Sequence, residues 1–147
     1  MDGQGRARFS VSGNGLLVYG SLGTDKVGLM WVDREGKRLE SVGEPNRGPL
    51  HPQLSPNEKQ VAFKQSVGQN SDIRIWDFVH GLATRFTFQP AIEDYPVWSP
   101  DGSRIAFSSN REEAYDLYVK DVNGAGQEEL LLKTRNTKVP SSWAANG

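Results

Sequence analysis

Two stretches decide the fold: Pro52–Phe63, PQLSPNEKQVAF, and Pro96–Phe107, PVWSPDGSRIAF, which lie 44 positions apart. Ser55-Pro56 falls on Ser99-Pro100, and Val61-Ala62-Phe63 on Ile105-Ala106-Phe107. The register survives downstream, where Asp72-Ile73-Arg74-Ile75-Trp76-Asp77 lands on Asp116-Leu117-Tyr118-Val119-Lys120-Asp121 across loop residues that differ. Two segments and the spacing between them repeat together, which is the signature of a repeat architecture. The same shift upstream reaches Leu29-Met30-Trp31-Val32-Asp33 and Leu17-Val18-Tyr19, a third copy whose FSVSGNG turn lacks Ser-Pro and is one residue shorter than LSPNEK. A fourth copy begins at Val139, where Pro140 to Gly147, PSSWAANG, parallels PVWSPDG with one residue inserted. One extra strand is expected over 139–147.

Within a copy the pattern predicts strand, turn, strand, loop, strand, turn, strand. Ile105 and Phe107 alternate with Ala106 and Ser108, and Leu117 and Val119 with Tyr118 and Lys120, the period of two that marks a strand. Asp101-Gly102 supplies a tight turn, because Gly accepts positive φ and the Asp side chain bonds nearby backbone. Gln127–Arg135, QEELLLKTR, has a helical look but occupies the fourth-strand slot and is assigned as strand. Four short strands in a unit of this length predict an all-β β-propeller of three four-stranded blades, over 6–45, 46–92 and 93–138. Ala62 and Ala106 stay small where a neighbouring sheet must approach, so both faces of a blade are expected to be covered.

At these residues the chain resembles a known family. WSPDGSRIAFSSNR from Trp98 to Arg111, followed by YDLYVKD from Tyr115 to Asp121, resembles the WD-like repeat of TolB-type six-bladed propellers; LSPNEKQVAF with DIRIWD is a looser match. Glu58 stands where the motif has Gly, and Glu112-Glu113-Ala114 replaces a Gly-containing turn. Similar repeats occur in a periplasmic translocation protein, in sensor regions of bacterial serine/threonine kinases and in gating propellers of prolyl-oligopeptidase-like enzymes. The resemblance therefore implies a fold and, more loosely, a periplasmic setting. A propeller closes a ring of four to eight blades, and an arc of three leaves apolar flanks open to water. The expected remedy is a homodimer that closes six blades about a two-fold axis; a longer parent polypeptide is the alternative supplier.

Charge and composition exclude several classes. The chain of 147 residues carries 17 Lys and Arg against 18 Asp and Glu, so it lacks the basic footprint of a nucleic-acid binder. With no Cys there is neither disulfide framework nor thiolate chemistry, and no apolar run approaches the ~18 residues a membrane helix needs, so membrane insertion is not expected. Only two His are present, His51 and His80, and no G-x-S-x-G, so no catalytic residues are assigned. His51, in GPLHPQ, reads as a turn histidine; in lyases with similar propellers a channel histidine binds metal, which leaves a carbohydrate-active alternative. No metal or cofactor is assigned. Asp33, Asp77 and Asp121 are repeat equivalents expected to hold turn backbone, and GNG at Gly13 and GAG at Gly124 lack phosphate-loop spacing and read as hairpin turns. Turn and packing roles go to Ser55, Pro56, Trp98, Ser99, Pro100, Asp101, Gly102 and Trp143. The candidate partner-binding loop is Asn110, Arg111, Glu112 and Glu113, sharing a face with the loops 64–71 and 21–28. The functional expectation is a non-enzymatic protein-interaction scaffold that self-associates and binds an unidentified protein; an accessory or gating propeller of a peptidase or kinase is the rival.

Overall fold

In the computed structural model, which describes residues 9–20, 28–42, 50–124 and 126–146, the alternating segments become strands and none of the described residues is helical. The strands are β1 (Phe9–Val11), β2 (Leu17–Gly20), β3 (Leu29–Val32), β4 (Arg38–Val42), β5 (Leu50–Leu54), β6 (Gln60–Val67), β7 (Asn70–Asp77), β8 (Leu82–Arg85), β9 (Glu93–Trp98), β10 (Arg104–Glu112), β11 (Ala114–Asp121) and β12 (Glu129–Leu132). They form three antiparallel meanders, β1 to β4, β5 to β8 and β9 to β12, each ordered across the sheet as in the chain. QEELLLKTR supplies β12, a strand as expected. The sheets touch chiefly through β5 and β9, which approach β1, β2, β6 and β7, while β4, β8 and β12 make no comparable approach. First strands thus lie at an inner edge and fourth strands at a rim, the radial layout of propeller blades.

The pleat explains how one sheet packs on two neighbours. Val61 and Phe63 point toward the first blade, in a cluster with Val18, Leu29 and Val42, whereas Ala62 points the other way, into a cluster with Ile105, Phe107, Trp98 and Tyr118. All of these are buried. Successive residues on one strand serve opposite interfaces because successive side chains leave opposite faces.

Each blade opens on the same turn. Ser99 N–H donates to Arg104 O and Gly102 N–H to Ser99 O, while the Ser99 hydroxyl donates to Asp101 at 2.6 Å and accepts the Arg104 N–H at 2.9 Å. Ser55, Asn57, Glu58 and Gln60 reproduce this arrangement, as do Ser12, Asn14, Gly15 and Leu16 with one residue fewer. Gly15, Glu58 and Gly102 all have positive φ, at 85°, 58° and 73°.

Two sequence readings need correction. No strand forms over 139–146: Pro140 has no N–H to enter a ladder, and the segment lies instead beside the third blade, with Lys138 N–H donating to Tyr115 O and Ser108 donating to Lys138 O. The stretches 64–71 and 110–113 are also strand for most of their length rather than loops. β6 and β7 run to a two-residue connection at Gly68-Gln69, and β10 continues through Glu112 with a register shift between Ser109 and Glu112, which leaves only Glu113 between β10 and β11. Of the loop 21–28, all but Gly28 lies outside the described residues.

Candidate functional site

Proline shapes the inner edge. In β5 the pairing passes from Leu50–Lys64 to Gln53–Ala62, so His51 and Pro52 face the single residue Phe63; in β9 it passes from Asp94–Ser108 to Val97–Ala106, so Tyr95 and Pro96 face Phe107. These are β-bulges, placed where Pro cannot donate to the ladder. The residue before each Pro is left-handed, His51 at φ 52° and Tyr95 at φ 54°, a conformation uncommon outside Gly. The bulges turn both rings toward one another, and they stack with centroids 4.3 Å apart. Together with Gln53, Val97 and the Pro140-Ser141 segment they line a cleft of about 340 Å³ along the inner strands.

Beneath the stacked rings lies a buried ionic set. His51 Nδ1 is 2.6 Å from Asp94 Oδ1, Lys64 Nζ donates to Asp94 Oδ2 at 2.7 Å, and the Tyr95 N–H donates to Asp94 at 2.7 Å. Desolvation pushes the Asp94 carboxyl up, but His51 and Lys64 outweigh it and hold the group below its ordinary value. An ionised carboxylate this deep is tolerated because every oxygen is matched by a donor. Tyr115 is raised by burial and by Asp94. His51 is thus a buried strand residue, not a turn histidine. Its partner is 43 positions away, and no spacing rule links them. His80 is an exposed turn residue.

Further ion pairs fasten the second and third blades. Arg85 meets Asp72 at 2.8 Å and Lys138 meets Asp116 at 2.5 Å; the two Asp are repeat equivalents, and Lys138 holds Asp116 below its ordinary value despite burial. Arg111 reaches Glu93 and Glu128, each at 2.6 Å, and lies 3.9 Å above the Tyr118 ring. Burial pushes Glu93 up to about 7, with the Thr87 hydroxyl and Arg111 opposing and Glu128 adding to the rise.

The residues assigned to turns and packing occupy these places. Ser55 and Ser99 are buried, Pro56 and Pro100 are exposed at turn corners, and Gly102 faces Pro56 across the blade boundary. Asp101 is held down to about 2, first by the Ser99 hydroxyl and then by Ser103. Trp98 is buried, its Nε1–H donating to Gln53 O at 2.9 Å and so tying β9 to β5. Trp143 is half-buried under Arg104. In the 110–113 segment, Asn110 accepts the Ile92 N–H and Arg111 is committed to its two carboxylates, while Glu112 and Glu113 are exposed. Asp33 and Asp77 accept turn N–H groups, from Glu35 and Lys37 and from Val79 and His80. No group of three or more His, Asp or Glu side chains suited to a metal occurs among the described residues, and no helix among them is long and apolar enough to cross a membrane.

Comparison with known proteins agrees with this architecture. The chain is 27% identical over 88 residues to the Tol-Pal system protein TolB of Alcanivorax borkumensis, across 57% of this chain and 20% of that protein. It is 30% identical over 103 residues to the uncharacterized peptidase YuxL of Bacillus subtilis, across 65% and 16%. A TolB structure from Agrobacterium tumefaciens superposes with a TM-score of 0.85 at 22% identity, covering 95% of this chain and 50% of the other. The chain therefore spans half or less of the length of these proteins. The profile of the TolB beta propeller domain matches residues 7–147, a span that takes in all three meanders and the bulged inner strands, and on that match the chain belongs to the TolB β-propeller domain family.

Proposed function

We propose that the chain is a non-enzymatic propeller module, made of blades 6–45, 46–92 and 93–138, that serves as a protein-interaction scaffold and self-associates through an uncovered blade face. The carrying observation is a break in the repeat. Val61 and Phe63 in the second blade, and Ile105 and Phe107 in the third, are buried against the preceding blade, whereas their counterparts Leu17 and Tyr19 are only half-buried, beside exposed Phe9 and Val11. That face is shaped for a preceding sheet, and a second copy would bring one. Light scattering on the eluting protein is expected to return twice the 16.3 kDa chain mass, and Leu17→Asp is expected to reduce it to the monomer. A monodisperse wild-type monomer overturns the self-association.

The inner cleft and the exposed tip at Glu112 and Glu113 are the surfaces we assign to a protein partner. Residence in the periplasm follows the family resemblance and is tested by fractionation of the native host. The peptidase likeness supports a second reading, a gating or accessory propeller. Catalysis by the chain itself is a separate possibility, because Ser141 lines the same cleft as His51, the partner of Asp94. A fluorophosphonate probe tests that possibility: a scaffold and an accessory propeller both remain unlabelled, and labelling at Ser141 would make the chain an enzyme.

A further inference from the structure

The notch between the second and third blades already contains an ammonium group. Lys120 Nζ lies 5.2 Å and 5.1 Å from the ring centroids of Phe86 and Phe88, donates to Phe86 O at 2.8 Å, and is 3.9 Å from Glu128. Aromatic faces, a carbonyl and a carboxylate together make a good seat for a cation, since the ring quadrupole and the negative oxygens act in the same direction. The chain supplies its own lysine there.

Between the first and second blades the corresponding position is Trp76, 44 residues earlier, and the composition of the notch changes with it. A groove of about 400 Å³ is lined by Trp31, Trp76 and Phe78, with Val42 and the acidic residues Glu40 and Glu58, the latter accepting the Gly13 N–H. Trp31 and Phe78 lie 5.3 Å apart, tilted by 43°, and all three aromatic residues are only partly buried. The counterparts of Phe78, Glu40 and Glu58 in the next notch are Val122, Thr84 and Gly102, so this acidic aromatic character is not a property of the repeat. Among the described residues no Lys, Arg or His lines the groove. Among the described residues it has rings and negative charge, as its neighbour does, without a resident cation.

We infer that this groove receives the ammonium group of a lysine side chain presented by a partner protein. The inference names a partner chemistry for the interaction-module reading and rests on it. Charge complementarity favours a cation over an apolar side chain, and the neighbouring notch is the precedent for lysine. The site is on the blade boundary away from the inner cleft, so it does not use the His51 set.

The test is a titration of the full chain, labelled with nitrogen-15, by Ac-Gly-Lys-Gly-NH2, following the four indole N–H signals. The expected result is a saturable shift at Trp31 and Trp76 with Trp98 and Trp143 still, weakened about threefold by Glu40→Gln, which removes one exposed carboxylate, and weakened again by salt. The norleucine peptide, of equal length and no charge, should give no saturable shift. Absence of saturation, an equal response to norleucine, or binding of choline without binding of the lysine peptide overturns the inference. Glu58→Gln, which keeps an oxygen for the Gly13 N–H, provides a second variant if Glu40→Gln alters the fold. Silent indoles defeat the lysine site alone, whereas fluorophosphonate labelling defeats the module reading.

Discussion

Glu113 sits at φ 73° at the tip between β10 and β11, where an L side chain crowds its own carbonyl. Glu113→Gly is expected to stabilise the fold by about 1 kcal/mol, read as a higher urea midpoint at unchanged slope. The Ser turn gives the opposite sign. Ser99→Ala removes the acceptor for the Arg104 N–H and the donor to Asp101, and should cost about 1 to 2 kcal/mol. Glu93 sets a pH dependence. Its folded value of about 7 lies above the ordinary 4.5, so the protonated fold keeps its full advantage below about pH 4.5 and loses it as pH rises through 7. The swing is up to about 3 kcal/mol, and Glu93→Gln should flatten denaturation midpoints measured between about pH 5 and pH 8. The Ser-to-Gly turn was readable in the sequence because its chemistry is local: a short side chain, an Asx residue and a left-handed position within six residues. The His51–Asp94–Lys64 set was not, since its members come from three strands and meet only once two bulges re-aim them.

The bulged inner strands explain why a turn assignment fails at His51. Gly-Pro-Leu-His-Pro has the composition of a turn, and Pro does break the ladder, yet flanking pairs on both sides restore it and the result is a bulge within a strand. The same rule misplaced the segment after Val139, where Pro140 has no paired neighbours to restore the ladder. Interface strands were easier to read, because large and small residues alternate with the pleat. Ala62 is fully buried between sheets, so Ala62→Leu is expected to cost about 1 to 3 kcal/mol by overpacking. Trp98→Ala should cost about 3 to 5 kcal/mol, through lost burial and the broken tie to Gln53. Thermal denaturation of the two variants checks both values.

For the whole molecule, the repeat dictated three sheets and their order, while nothing periodic in the sequence marks which flank stays bare. That follows from position in the array: Leu17 and Tyr19 are of the same apolar type as Val61 and Phe63, but among the described residues no sheet packs before them. Among the described sheets, the second blade alone is sandwiched by two neighbours. Its amide protons should therefore be the last to exchange with deuterated solvent, and those of β2 and β3 should exchange sooner through partial openings that leave the other two blades intact. A chain arranged this way comes apart from its uncovered side, and whatever docks on that side also sets the order in which the molecule unravels.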